Sequence, residues 1–184
     1  MKLREITGKM LEEIGYVQEH MDEIEVDLFI QSILKARRIV VYGAGRMGLM
    51  TRAFAMRLMQ LGFNAYVLGE TTTPSVGAED LLIVTSSSGE TRTVLEAAKL
   101  GKLRGASLAA VTCHPQSPLA RLVDIIVRLP EGIPVDQSAA QSTQLLKTTS
   151  EQNLLILLDG IAMLIMEQTG QTAEDIWARH NNLE

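Results

Sequence analysis

The chain has 184 residues, 46% of them hydrophobic and 21% charged, with a net charge of −5. That length suits one domain with a sizeable core, and the acidic balance excludes a nucleic-acid surface as the default reading. The one cysteine, Cys113, excludes an internal disulfide framework and a cysteine zinc cluster.

The opening Met1-Lys2-Leu3-Arg4-Glu5 is charged and carries no signal-peptide core. Ile6, Met10, Ile14 and Val17 recur at helical spacing, so residues 3–20 and then 22–36 are expected as helices. Strand one is expected at 38–42. Gly43-Ala44-Gly45-Arg46-Met47-Gly48 follows, leading into a helix over 46–61 that Gly62 stops. Ala65-Tyr66-Val67-Leu68 reads as strand two. Strand three, at 81–85, runs into Ser86-Ser87-Ser88-Gly89-Glu90-Thr91, with a helix over 90–103 behind it. Strand four is expected at 107–112. A short helix near 118–122 precedes strand five at 123–129.

Residues 131–142, with Pro134 and many small polar residues, read as a loop. Residues 144–168 read as one long helix, apolar around much of its circumference from Leu154 onward. Its apolar run, Leu154 to Met166, contains Asp159 and is too short to span a bilayer, so no membrane association and a cytoplasmic setting are expected. A helix apolar on most sides needs burial on most sides, which implies an oligomer interface. The alternative is the central helix of a larger monomeric core. The tail from Thr172 is expected to form one more helix and then a polar end with His180. N-terminal helices (1–36), an α/β core (37–129) and C-terminal helices (144–184) thus make one expected domain, 1–184.

Strands alternating with helices argue for a parallel sheet covered on both faces, an α/β/α sandwich. The strands are near-continuous apolar runs, as burial on both faces requires. In a doubly wound sheet, ligands bind beyond the carboxyl ends of the strands. Gly43, Ser86 and Thr112 should therefore lie near one edge. Backbone N–H groups at a helix N-terminus, with glycines and hydroxyls around them, form an anion site. Two such loops at one edge suggest a phosphorylated small molecule held between them.

The Gly43–Gly48 loop fits the G-x-G-x-x-G pattern, and Glu70 follows strand two where a ribose-binding acid sits in dinucleotide enzymes. That reading leaves the second loop unexplained. Ser86, Ser87, Ser88 and Thr91 offer four hydroxyls, and Gly89 lets the backbone approach an anion. The plainer alternative is Ser88 capping the helix, with Thr91 at its third position.

These residues resemble the sugar isomerase (SIS) domain, and within it the 6-phospho-3-hexuloisomerases. The resemblance covers nearly the whole chain. It rests on Gly43-Ala44-Gly45-Arg46, the helix Ala53 to Met59, Leu61-Gly62-Phe63, Gly69-Glu70-Thr71 and the loop Ser86 to Thr91. Ser117-Pro118-Leu119-Ala120, Glu151-Gln152 and Arg179-His180-Asn181-Asn182-Leu183-Glu184 add to it. The resemblance implies a five-stranded parallel sheet between helices, usually assembled as a tetramer, serving formaldehyde fixation or pentose supply.

It also implies site roles. Ser86, Ser88 and Thr91 would bind phosphate, with Ser87, Gly43, Gly45 and Arg46 around the substrate. Glu151 would be the base, and His180 a second group that enters a neighbour's site. The sequence departs from the pattern at three places. Met47 stands where serine is usual and Ser87 where glycine is usual. Gln144-Leu145-Leu146-Lys147-Thr148-Thr149-Ser150-Glu151-Gln152 stands in place of Gln-Pro-Met-Gly-Thr-Leu-Phe-Glu-Gln.

The implied reaction moves a carbonyl between C3 and C2 of a hexulose 6-phosphate through an enediol. A carboxylate base suits it, and histidine titrates in a range useful for moving the second proton. Taken alone, Glu151 reads as a first-turn acid that favours the helix dipole, and His180 as a solvated tail residue. Arg46 is either an oxyanion partner or a surface residue of the helix start. His114 follows strand four at the binding edge, Cys113 reads as buried filler, and His20 as solvated or at a subunit contact. The three histidines show no zinc spacing, so neither a metal nor a cofactor is expected. Two other functions stay open: a non-catalytic phosphosugar sensor, and a nucleotide-binding enzyme resting on the Gly43–Gly48 loop alone.

Overall fold

The computed structural model describes residues 2–131, 144 and 148–183. The chain runs α1 (Leu3–Glu19), α2 (Glu23–Lys35), β1 (Arg38–Gly43), α3 (Gly45–Gln60), β2 (Ala65–Val67) and β3 (Asp80–Thr85). It continues α4 (Arg92–Leu103), β4 (Ser107–Thr112), β5 (Ile125–Arg128), α5 (Thr148–Gln168) and α6 (Ala173–Ala178). The five strands form one parallel sheet in the order β2-β1-β3-β4-β5. The expected α/β sandwich is what the chain builds.

Side chains alternate along each strand, so successive residues feed two separate cores. Ile39, Val41, Leu81, Ile83, Ala109 and Val111 face α2, α3 and α5. Val40, Leu82, Val84, Leu108 and Ala110 face α4 and the turn that holds Leu119. Every residue of β3 is buried, which explains its unbroken apolar run, Leu81-Leu82-Ile83-Val84. The strand order reverses between β1 and β3, where one chain path turns outward to β2 and the other to β4. The carboxyl ends of β1 and β3 therefore flank the switch point, with Gly43 directly beside Thr85.

Several expected boundaries move. Residues 118–122 form successive turns instead of a helix, because the Leu119 amide donates to the Gly89 carbonyl and not along a helix. β5 starts at Ile125, since Asp124 closes the start of β4: its carboxylate accepts from the Leu108 amide and its own amide donates to the Leu108 carbonyl. Helix α4 starts at Arg92. The Gly89 and Glu90 amides are drawn back to the Ser86 and Ser88 hydroxyls, which keeps residue 90 in the loop. Gln144 is a bend, not the first residue of a helix, and α5 begins at Thr148. The loop expected at 131–142 lies, beyond Glu131, outside the described residues, and so does Lys147.

Helix α5, at 21 residues, is long and apolar enough to cross a membrane by length and composition, which the shorter run 154–166 did not suggest. In the fold it is a core helix. Leu154, Leu157, Leu158, Ile161 and Ile165 are buried in the core they share with α3. Its first two turns also meet α1, through Gln18 Nε2 on Asn153 Oδ1 (2.8 Å) and Thr149 Oγ1 on the Glu13 carboxylate (3.0 Å). The opposite face leaves Ile156, Met163 and Leu164 exposed.

Candidate active site

The site grows from the ends of β1 and β3. Gly43 lies so close to Thr85 that a Cβ there would strike its hydroxyl, and a Cβ on Gly48 would strike the Gly43 carbonyl. These two glycines let the start of α3 press on the end of β1. The seam is pinned from below: Thr51 Oγ1 donates to the Met47 carbonyl (2.7 Å), so the Thr85 hydroxyl is the donor in the 2.7 Å bond to Thr51 Oγ1. Gly45, with φ +57, opens α3 on the exposed side, and its N-cap Ala44 has no hydroxyl to cover the first N–H groups.

The second loop folds around its own hydroxyls. Ser86 Oγ lies 2.8 Å from Thr91 Oγ1 and accepts the Gly89 amide at 3.1 Å; Ser88 Oγ accepts the Glu90 amide at 3.2 Å. Gly89 sits at φ +62 with Ser117 where a Cβ would be, so only glycine fits this corner without displacing the β4 turn. Ser88 does not cap α4. Thr91 is the N-cap, and its side chain makes no capping bond. The hydroxyls are thus turned into the loop, the first turn of α4 carries Arg92 and no acid, and the helix dipole adds positive potential there.

Two contacts bring α5 to these loops. Arg46 Nε pairs with Glu151 Oε2 at 3.1 Å, joining the first turns of α3 and α5; the Glu151 side chain is only 16% exposed, against 56% for Arg46. Ser87 Oγ donates to Ser150 Oγ at 3.2 Å. A buried hydroxyl-rich loop, a glycine loop, an arginine and a carboxylate therefore converge at the switch point. This is a set able to hold an anion and to move a proton beside it.

The SIS domain family model matches residues 32–158, which hold the whole sheet and the first half of α5. The chain belongs to the SIS domain family. It is 37% identical, over the full length of both chains, to a 3-hexulose-6-phosphate isomerase of Bacillus subtilis. It is 38% identical to the enzyme of that name from Mycobacterium gastri, with 94% of this chain and 87% of the relative covered. A Methanococcus jannaschii crystal structure, from which a molecular function of 3-hexulose-6-phosphate isomerase was inferred, superposes with a TM-score of 0.84 at 35% identity. That match covers 98% of this chain and 99% of the other.

Within this SIS domain the expected site residues separate into two groups. Gly43, Gly45, Arg46, Ser86, Ser88, Thr91 and Glu151 share the carboxyl edge. Ser87 is there too, but its hydroxyl points away from the loop interior, to Ser150 and to Cys113 Sγ at 3.4 Å. His180 lies elsewhere. Helix α6 packs on the far end of α3: Arg179 Nη1 donates to the Gln60 carbonyl (3.0 Å) and Gln171 Nε2 to the Leu61 carbonyl (3.1 Å). Arg46 and Leu61 are separated by fifteen residues of α3, about 22 Å of helix. His180 stacks on Trp177 there and is not brought to the Glu151 of its own chain.

Other residues take definite places. Met47 packs in the main core, so it does not line the loop where a serine was the usual pattern. His114 reaches Glu131 at 3.3 Å on the exposed rim. His20 stacks on Tyr16 on the surface. Glu70, the ribose candidate, is paired with Arg52 at 3.3 Å, and the cavity lined by Gly43, Gly48, Thr51 and Arg52 has a volume of about 20 Å³, room for one water. No group of three potential metal ligands occurs among the described residues. Sequence reasoning missed Ser150 and the contacts of Cys113. Two signals pointed to Ser150: it immediately precedes the candidate base, and it stands where the resembled pattern has phenylalanine.

Proposed function

We propose that this chain is a phosphosugar isomerase that interconverts 3-hexulose 6-phosphate and fructose 6-phosphate through an enediol. The observation that carries the reading is the juxtaposition of the Ser86–Thr91 loop with a largely buried carboxylate, Glu151, on a separate helix. The full-length likeness to relatives of that name supports it.

In this reading the 6-phosphate sits on Ser86, Ser88, Thr91 and the N–H groups that open α4, where the helix dipole favours negative charge. The sugar then extends toward α5. Glu151 takes the C3 proton of fructose 6-phosphate, and the C–H electron pair forms the C2–C3 double bond. Charge develops on O2, within reach of Arg46, whose guanidinium stabilises it. A proton moves from O3 to O2, Glu151 returns its proton to C2, and the carbonyl stands at C3. His180 handles the transfer between the oxygens from a neighbouring subunit, since in its own chain it lies at the opposite end of α3.

That assignment requires an assembly, and a tetramer is the form proposed. The exposed face of α5, with Met163 at 68%, borders a largely apolar groove of about 290 Å³ lined by Leu61, Ala162, Met163, Met166 and Ile176 together with the Arg57–Asp159 ion pair. Exposed apolar faces of this kind mark interfaces. The same proposal takes residues 1–184 as one cytoplasmic unit that works without nucleic acid, membrane or cofactor, in formaldehyde fixation or pentose supply. Incubation of the purified protein with fructose 6-phosphate should yield 3-hexulose 6-phosphate. Binding without turnover or proton exchange would instead favour a sensor.

A further inference from the structure

Three groups meet beneath the active-site floor. Ser87 Oγ donates to Ser150 Oγ at 3.2 Å, Cys113 Sγ donates to Ser150 Oγ at 3.4 Å, and Ser87 Oγ and Cys113 Sγ lie 3.4 Å apart. They come from three elements: the loop after β3, the end of β4 and the first turn of α5. Ser87 and Cys113 are buried, at 7% and 5% exposure. The Ser87 main chain is equally fixed, its carbonyl accepting the Cys113 amide (3.0 Å) and the Thr112 hydroxyl (3.2 Å).

A serine inside a phosphate loop would be expected to turn its hydroxyl to the anion. Ser87 turns the other way, so its hydroxyl serves the protein. Its partner is the residue immediately before Glu151. Arg46 joins the first turn of α5 to α3 through a half-exposed side chain, and the Ser87–Ser150 bond joins the same turn to the loop from a buried position. Both hydroxyls also stand at positions where the sequence departs from the pattern it resembles.

We propose that Ser87 and Ser150 are a positioning pair: their hydrogen bond fixes the start of α5 against the phosphate loop, and so holds Glu151 at a set distance from a substrate anchored there. The claim rests on Glu151 being the base. Neither serine touches the reacting atoms. Their effect is on the fraction of bound substrate that meets the carboxylate in a reactive geometry, where a misplacement of about 1 Å costs about a hundredfold in rate.

The test is a set of variants assayed with fructose 6-phosphate, with inorganic phosphate as a competitive inhibitor that reports the loop alone. Ser87→Ala and Ser150→Ala should each lower kcat about ten- to a hundredfold, while KM and phosphate inhibition stay within about twofold. The double variant should be no slower than the worse single, because both changes break the Ser87–Ser150 bond and Ser150→Ala already removes the Cys113 bond as well. Ser150→Val should behave as Ser150→Ala. Ser150→Thr, of the same shape as valine but with a hydroxyl, should recover most of the rate. This last comparison stands even if Ser87→Ala fails to fold.

Three results overturn the pairing while leaving the base intact, provided Glu151→Gln has lost turnover. They are single variants at wild-type kcat, losses that multiply in the double variant, or kcat losses matched by weaker phosphate inhibition. Near-normal turnover in Glu151→Gln removes the base reading, and the positioning claim with it.

Discussion

The two edges of the sheet are built on opposite plans. At the amino edge, charge is closed off. Asp80 and Arg38 face each other across β3 and β1, with Arg38 Nε and Nη2 on the two carboxylate oxygens at 3.0 and 2.9 Å and the Gly77 amide on Oδ2 at 2.8 Å. Asp124 accepts the Leu108 amide beside them. At the carboxyl edge, the first turns of α3 and α4 begin without a side-chain cap, and the hydroxyls of the serine loop bond to each other, to the loop's own amides and to Ser150. Satisfied carboxylates hold a strand start in place. Helix N-termini without a side-chain cap leave N–H groups for which a ligand can supply the missing acceptor.

If the carboxyl edge is the chemical one, its variants should lose rate or binding but not stability. The largest effect is expected for Glu151→Gln, which keeps the shape and cannot take the proton. Turnover should fall about 10²–10⁴-fold with KM little changed. Next is the pair Ser86→Ala with Ser88→Ala. Hydrogen bonds to a charged group contribute about 1.5–3 kcal/mol each, so calorimetry with fructose 6-phosphate should show affinity reduced by about a hundredfold or more.

Asp80→Ala should do the reverse, costing about 1–3 kcal/mol in urea unfolding with kcat unaltered. The Arg38 guanidinium, and after it the Gly77 amide, hold the Asp80 carboxyl below the usual carboxylate range against the opposing effect of burial. Its lowered native value means that its contribution is complete above about pH 4 and is lost as the pH falls through that native value. The wild type should therefore lose stability in that acid window and Asp80→Ala should lose less. The smallest effect is expected for Glu70→Ala. Its ion pair with Arg52 has both side chains about half exposed, and removal should change stability by less than about 1 kcal/mol and turnover not at all.

Much of this organisation was legible in the sequence, and what was hidden has physical reasons. Continuous apolar runs such as Leu81 to Val84 report burial on both faces directly, so the strands and their parallel order followed from pattern. The Ser86–Thr91 loop showed itself because four hydroxyls exceed what one cap needs. The direction of each hydroxyl did not, since Ser87 differs from Ser86 only in the alternation of the chain at a strand end. Residues 118–122 have helical composition, yet the Gly89 carbonyl takes the Leu119 amide, a tertiary contact that no local pattern encodes. The pairing of Arg46 with Glu151 joins residues more than a hundred positions apart. It became visible only when α3 and α5 lay side by side. His180 shows the same limit in reverse, for its tail motif gave no sign that α6 folds onto the far end of α3.

One event decides the proposed mechanism: removal of the proton at C3 by Glu151 from a sugar whose phosphate sits on the serine loop. Deuterium exchange in heavy water, followed by NMR on fructose 6-phosphate, reads that event without relying on net turnover. Wild-type protein should introduce deuterium at C3, Glu151→Gln should introduce almost none, and excess inorganic phosphate should suppress the exchange. Exchange in Glu151→Gln at the wild-type rate, or wild-type exchange indifferent to phosphate, would contradict the account.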